Sequence, residues 1–285
     1  MTRPLTVNHA ITIDEVGIET GHYRCFHLKS AYQPIWLHRD GMLHPNAVEG
    51  LIRPFVDGNP VPVSELFESV PAHDRLFVET LCRALHLRNH HNVDVPELDL
   101  FFNFDPRVHD DMETAIELLA IMAHRLTVIG LDIGRLVCEI TESAELDCET
   151  FACIATEIRR LGMRLAIDDF GNGHSTLERV ELIKPDIVKI DGAWFRRVAG
   201  APGAARLLGT LVKGFHAMGI SVLVEGVETP RQLATAIDAG AERAQGYLLG
   251  RPALAGTAFD PAPRPVAHFL GQTGNVVPLP GRRRR

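Results

Sequence analysis

Two stretches decide the fold: RLVCEITES at residues 135–143 and RLAIDDFG at residues 164–171. Each is a short run that is apolar at nearly every position and ends in carboxylates, Glu139 and Glu142 in the first, Asp168 and Asp169 in the second. Runs of that kind suit strands covered on both faces, as in parallel sheets flanked by helices. The same pattern recurs to either side. Further strand candidates are Ala31–Trp36, Leu98–Phe104, Ile187–Ile190, Ser221–Val224 and a short piece around Ala244–Tyr247. Between them, helical spacing predicts helices over Val63–Val70, Asp74–Leu87, Thr114–Leu126, Glu149–Leu161, Ser175–Glu181, Ala204–Met218 and Pro230–Ala239. Gly219 and Gly240 stand where left-handed helix caps belong, and Thr229-Pro230 reads as an N-cap followed by proline at the first helical position. Strands alternating with helices imply parallel pairing through helical crossovers. On pattern alone, a closed eight-stranded barrel and an open doubly wound sheet both satisfy this α/β reading.

Length and composition agree with one large globular unit. The chain has 285 residues, 46% hydrophobic and 23% charged, close to globular averages. With 36 acidic and 29 basic residues it carries −7, which argues against a general binder of nucleic-acid polymers. Five cysteines without a CxxC pair suggest neither a disulfide framework nor a zinc site and fit a reducing cytoplasm. The N-terminus shows no secretory h-region, and no apolar run approaches the length of a membrane span. Residues 1–21 read as an N-terminal extension or cap, residues 22–258 as the catalytic-sized unit, and residues 259–285 as a flexible tail ending in Arg282–Arg285.

Position makes the acids informative. Carboxylates collect at the C-terminal ends of strands: Glu139 and Glu142, Asp168 and Asp169, Asp191 beside Lys189 in DIVKID, and Glu225 and Glu228 in VLVEGVET. LFFNF adds the amide of Asn103 at an equivalent end. In parallel α/β folds that rim is where ligands bind. Adjacent carboxylates after an apolar strand are costly unless neutralised. An oxygen-only donor set suits hard divalent cations, Mg²⁺ or Mn²⁺, rather than zinc. Two such ions can clamp the attacking and leaving oxygens of a phosphodiester. Lys189 alone reads as a barrel ion pair, and among so many carboxylates also as a group that holds a water.

At this point the ordered motifs resemble the EAL domain, a bacterial phosphodiesterase of cyclic di-GMP. YQPI (32–35), EGLIR (49–53), FFNF (101–104), EITES (139–143), IDDFGNGHSTL (167–177), KPDIVKID (184–191), VEGVET (224–229) and AQGYLLGRP (244–252) follow in family order. The resemblance implies a TIM-like (β/α)8 barrel with one antiparallel strand. It implies hydrolysis of one phosphodiester of cyclic di-GMP to linear pGpG with two Mg²⁺ or Mn²⁺ ions per site. By motif, Glu49, Asn103, Glu139 and Asp168 match first-metal ligands, Asp168 and Asp169 serve the second, and Glu225 matches a general base or metal-cluster ligand. Lys189 matches the lysine that holds the catalytic water. Gln33, Leu51, Arg53, Asn103, Gln245 and Glu228 match substrate contacts. Glu142 matches the anchor of the loop after IDDFG. A homodimer is a further expectation of the resemblance; an unknown regulatory protein partner is expected beside it, and the lack of an apolar span leads to no expected membrane attachment.

The chain departs from the family pattern in places. Gly50 replaces the name-giving alanine and is expected to loosen the backbone that aims Glu49. Pro54 follows the arginine in place of an aromatic residue, FNFD replaces the usual run after Asn103, and Asn172, His174 and Thr176 alter the loop. No metal-ligand position and not the lysine is lost. The alternative function is a weak or inactive relative serving as a cyclic di-GMP receptor or a protein-interaction module. A third reading, an enolase-type Mg²⁺ barrel, explains the carboxylates and leaves the ordered motifs unexplained.

Overall fold

The computed structural model describes residues 6–93, 95, 97–108, 112–128, 132–141, 148–172 and 177–271. Glu142, loop residues 173–176 with His174 and Thr176, and the Arg282–Arg285 end lie outside them.

In chain order the strands are β1 Ile11–Ile13, β2 Glu19–Tyr23, β3 Phe26–Arg39, β4 Met42–Val56, β5 Asn59–Pro60, β6 Asp99–Asn103, β7 Leu136–Thr141 and β8 Arg164–Phe170. They continue with β9 Ile187–Ile190, β10 Ser221–Val224, β11 Arg243–Ala244, β12 Ala253–Leu254 and β13 Arg264–Pro265. The helices are α1 Val63–Ser69, α2 Arg75–Asn89, α3 Met112–Val128, α4 Cys148–Arg160, α5 Leu177–Ile183, α6 Gly192–Ala199, α7 Pro202–Ala217, α8 Pro230–Asp238 and α9 Val266–Leu270.

Eight strands close on themselves in the order β3-β11-β10-β9-β8-β7-β6-β4, and β4 returns to β3. The barrel therefore has no free edge. β3 runs antiparallel to both neighbours, β4 and β11, and the other six pairings are parallel. The structure thus decides for the closed barrel over the open sheet and places the one antiparallel strand. No helix among the described residues is long and apolar enough to cross a membrane.

The barrel is filled from within by one apolar layer: Ile35, Ala47, Phe101, Val137, Ala166, Ile187 and Leu223. Each comes from a different strand and is at most 2% exposed. Side chains two residues along a strand share a face. Two residues towards the C-terminal rim from each plug residue stand Glu49, Asn103, Glu139, Asp168, Lys189 and Glu225. On antiparallel β3 the step is reversed and gives Gln33. The helices pack against the outer faces through a separate large core that includes Phe102, Leu119, Ile154, Leu165, Phe195 and Leu208.

The longest strand, β4, is absent from the strand pattern read in the sequence, and β3 extends well beyond Ala31–Trp36. Pro45 and Pro54 break the apolar alternation of β4 and mask it. The missed signal is at its ends. Asp40-Gly41 (φ 52° and 74°) joins β3 to β4, and Asp57-Gly58 (φ 49° and 78°) joins β4 to β5. Asp-Gly with both φ positive is the two-residue hairpin turn whose twist matches its strands. Residues 7–23 carry β1 and β2, which extend the sheet at β3 and cover a second core of Leu28, Ile52, Leu66, Leu81 and Leu85 with α1 and α2. Buried Asn89 holds this hairpin to α2, accepting from the Glu19 N–H and donating to the Glu19 carbonyl, both at 2.8 Å. The expected caps are present. Gly219 and Gly240 have φ of 78° and 91°, and Thr229 and Gln232 form a reciprocal capping box at α8.

Candidate metal centre

The rim layer converges on one side chain. Lys189 of β9 is 1% exposed, and its Nζ lies 2.6 Å from Glu139 Oε1, 2.8 Å from Glu225 Oε1, 3.0 Å from Asp168 Oδ1 and 3.6 Å from Glu49 Oε1. Four carboxylates, carried by β4, β7, β8 and the residue after β10, thus surround one ammonium. Burial alone would lower the lysine pKa; the four acids outweigh that and hold it well above the ordinary lysine value. The reverse does not hold for the acids, because one positive charge cannot neutralise four. Burial pushes the Glu139 carboxyl well above the usual carboxylate range, against the pull of Lys189 and with the push of Glu49 and Asp168. Glu225 rises to about 8, again through burial first. Without further cations this cluster keeps protons at neutral pH.

Asp168 and Asp169 solve a geometric problem. Neighbours on a strand point to opposite faces, yet both side chains serve the rim. The β8–β9 register shifts between Ile167 and Phe170, and Asp169 adopts φ 59°. Such a bulge re-aims a side chain at the cost of local strain. Its result is that Asp168, Asp169 and Glu225 each bring a carboxylate oxygen to within 4.8 Å of the others. Oxygens on one octahedral Mg²⁺ are about 3 Å apart when adjacent and about 4.2 Å when opposite, so the three carboxylates draw together to share an ion. Burial, followed by the Asp168 charge, raises Asp169 to about 6.

The donor set fits divalent cations on a second count. Glu139 is fully buried, and its Oε2 has no hydrogen-bond partner among the described residues. An orphaned buried carboxylate oxygen is expensive unless a cation takes it. Asn103, exposed at the end of β6, stands in register with Glu139 and offers a neutral oxygen beside it.

The remaining sequence candidates divide. Gln245 Nε2 donates to Glu49 Oε2 at 2.7 Å, so this amide fixes the orientation of Glu49. Gln33, opposite Glu49 in the β3–β4 register, donates to the Gly250 carbonyl at 3.1 Å. Leu51, Arg53, Asn103 and Asp105 line a cavity of about 340 Å³ beside the rim, together with Arg83 and His86 of α2. Glu228 is not drawn into the cluster: it is half exposed and pairs with Arg196 at 3.4 Å. Asp191 caps α6, accepting from the Trp194 N–H at 2.7 Å.

The contact that the sequence did not reveal lies behind Glu49. Gly50, where the sequence leads one to expect a looser strand, has no open space on its outer face. His86 fills the space over Gly50, so close that a Cβ at position 50 would lie 2.8 Å from its Cγ. Residues 36 positions apart on a strand and a helix share no local periodicity, so no sequence signal links them.

Comparison with known proteins gives consistent results. The family model described as EAL domain matches residues 27–252. The cyclic di-GMP phosphodiesterase RocR of Pseudomonas aeruginosa is 27% identical over 240 residues, covering 83% of this chain and 59% of its own length. The probable cyclic di-GMP phosphodiesterase PdeA of Escherichia coli is 35% identical over 117 residues, covering 41% of this chain and 16% of its own length. The chain therefore spans less than two thirds of these curated relatives. Among solved structures, a standalone EAL protein from Vibrio cholerae O395 in its c-di-GMP-bound form superposes with TM-score 0.69 at 26% identity, covering 80% of this chain and 92% of that one. Klebsiella pneumoniae BlrP1 in a manganese and cyclic di-GMP complex gives TM-score 0.70 at 27% identity, covering 84% and 59%.

Proposed function

We propose, from the premise that the chain belongs to the EAL domain family, that it is a two-metal phosphodiesterase. It opens one phosphodiester of cyclic di-GMP to give linear pGpG. The observation that carries this reading is the convergence of four carboxylates from four different strands of the barrel on one buried ammonium, with Asp169 turned in beside them. Relatives named as cyclic di-GMP phosphodiesterases, and a manganese and cyclic di-GMP complex of similar fold, support the same chemistry.

Glu49, Asn103, Glu139 and Asp168 would hold one Mg²⁺ or Mn²⁺, and Asp168, Asp169 and Glu225 a second. Bound there, such ions supply Lewis-acid charge for the phosphoryl oxygens and acidify water. The chain's own groups do the rest. Glu225 has a carboxylate at the rim, only a fifth exposed, and accepts the proton of the attacking water. Lys189 gives its ammonium to orient that water and to balance the negative charge that grows at phosphorus. The water oxygen bonds to phosphorus, the P–O3′ bond breaks, and a proton passes to the O3′ leaving group, so the product carries a 5′-phosphate and a free 3′-hydroxyl. Arg53, at the mouth of the neighbouring cavity, binds a phosphate oxygen pair in the bidentate manner open to a guanidinium. Gln245 keeps Glu49 aimed, Gln33 braces the rim through Gly250, and Leu51 offers an apolar contact to a base.

A homodimer accompanies this reading. Exposed Leu177, Leu207 and Met218 line a groove of about 760 Å³ between α5 and α7. The free thiols Cys25, Cys82, Cys138 and Cys153 suit the reducing cytoplasm. The direct test is incubation of the purified chain with cyclic di-GMP and Mg²⁺ or Mn²⁺, with chromatography for pGpG. Product that vanishes in Glu49→Ala supports the reading. Binding without product would make the chain a receptor instead.

A further inference from the structure

The geometry points to His86 as a positioning residue for the metal centre, which takes the space of the missing side chain at Gly50 and holds Glu49 from behind. The inference rests on the two-metal reading above. Side chains at positions 49 and 50 face opposite sides of β4. Glu49 therefore looks into the rim while Gly50 looks out towards α2. A Cβ built at Gly50 would lie 2.8 Å from His86 Cγ and 2.9 Å from His86 Cβ. The second of these atoms is fixed by the helix backbone, so no rotation of the ring relieves it. Helix α2 thus approaches β4 more closely than any larger residue at position 50 would permit.

The imidazole is locked in that position by the neighbouring strand. Ser30 Oγ lies 3.0 Å from His86 Nδ1, and the Tyr32 hydroxyl donates to the His86 carbonyl at 2.6 Å. Tyr32 is the cross-strand partner of Gly50, and Gln33 that of Glu49. One side chain of α2 therefore joins β3 and β4 at the level of the metal ligand. His86 is 5% exposed, and burial together with nearby Arg53 keeps its ring uncharged at neutral pH. It adds steric support and no charge, and it lines the same cavity as Arg53 and Asn103.

The test is a variant cycle read by Mn²⁺ titration calorimetry and thermal melting, with pGpG formation measured alongside. Gly50→Ala pushes β4 away from α2. It is expected to weaken Mn²⁺ binding about tenfold, the lower end for loss of a group that orients a ligand. His86→Gly removes both contacting atoms and is expected to weaken binding by a similar factor. In the double variant neither Cβ nor Cγ remains at position 86, so the new methyl at position 50 meets no clash there and fills part of the vacated space. Mn²⁺ affinity should return to within about threefold of the starting chain. His86→Asn, which keeps a polar atom near the Nδ1 position, should also retain most of the affinity. The inference is overturned if Gly50→Ala binds Mn²⁺ like the parent, if the two losses multiply in the double variant, or if melting temperatures fall while Mn²⁺ affinity stays constant. Failure of the parent chain to bind Mn²⁺ or to form pGpG would overturn the two-metal reading itself, and is seen before any variant is made.

Discussion

The two ends of the barrel are built from the same strands and are chemically opposite. At the N-terminal end, four residues before the rim positions, β6, β8 and β10 carry Asp99, Arg164 and Ser221, and Arg135 immediately precedes β7. Arg164 Nη2 lies 2.8 Å and Arg135 Nη1 3.9 Å from Asp99, and Arg135 also reaches Asp132 at 3.6 Å. At the C-terminal end the corresponding positions are Asn103, Asp168, Glu225 and Glu139, with one ammonium among four acids. The lower end pairs its charges and so serves stability. The upper end leaves an excess of negative charge that protons or an added cation must remove. Burial and acidity are common to both ends, and the failure to balance is what marks the site.

The comparison breaks most visibly if the upper end can lose a carboxylate without consequence. Glu225→Gln should lower turnover by about 10²–10⁴-fold, the usual share of a positioned proton acceptor, and Glu49→Ala by at least as much; rates of pGpG formation check both. Lys189→Met should also abolish most turnover, because the ammonium that orients the attacking water is lost. Adding Mn²⁺ should raise the melting temperature, by about 2.7 kcal/mol of stability at a hundred times its dissociation constant. EDTA should reverse it, and a scan of melting against Mn²⁺ concentration measures the effect.

The lower end sharpens the contrast from the other side. Asp99→Asn should cost about 1–2 kcal/mol, less than a fully buried pair because Arg164 and Arg135 stay partly solvated. Turnover per folded molecule should not change. A denaturant titration together with the rate of pGpG formation separates the two effects.

The smallest expected effect is a pH dependence that differs with metal. Glu225 and Asp169 have folded-state values raised to about 8 and about 6. The folded chain therefore binds more protons than the unfolded one, and their contribution to stability declines as pH rises through those values. Buried His86 and His90, lowered to about 3 and about 4, act in the opposite sense, and their contribution is lost only as pH falls below about 6.5. Between pH 7 and 9 the histidines no longer act, Glu225 carries the decline, and the raised thiols of Cys82 and Cys138 add to it in the same sense near pH 9. The metal-free chain should therefore melt about 2–4 °C lower for each kcal/mol withdrawn. With Mn²⁺ bound in place of the protons, the same scan should be flat or rise.

Much of this was legible in the chain. RLVCEITES, RLAIDDFG, DIVKID and VLVEGVET are short apolar runs ending in charge, and that pattern is local: period two and burial on both faces are written into a few consecutive residues. It therefore determined the parallel α/β class, the rim position of Glu139, Asp168, Lys189 and Glu225, and the preference for oxygen-bound cations. Closure was not local. Whether the sheet curls into a barrel depended on β3 meeting both β4 and β11, partners distant in sequence, and β4 itself was hidden by its prolines. The bulge that turns Asp169 in beside Asp168 arises from the register between β8 and β9, which neither strand specifies alone. The contact of His86 with Gly50 exists only because α2 lies across β4. The amino-acid sequence by itself named the candidate ligands; tertiary structure decided how they face one another, because side-chain direction at a barrel rim is set by strand register and helix packing.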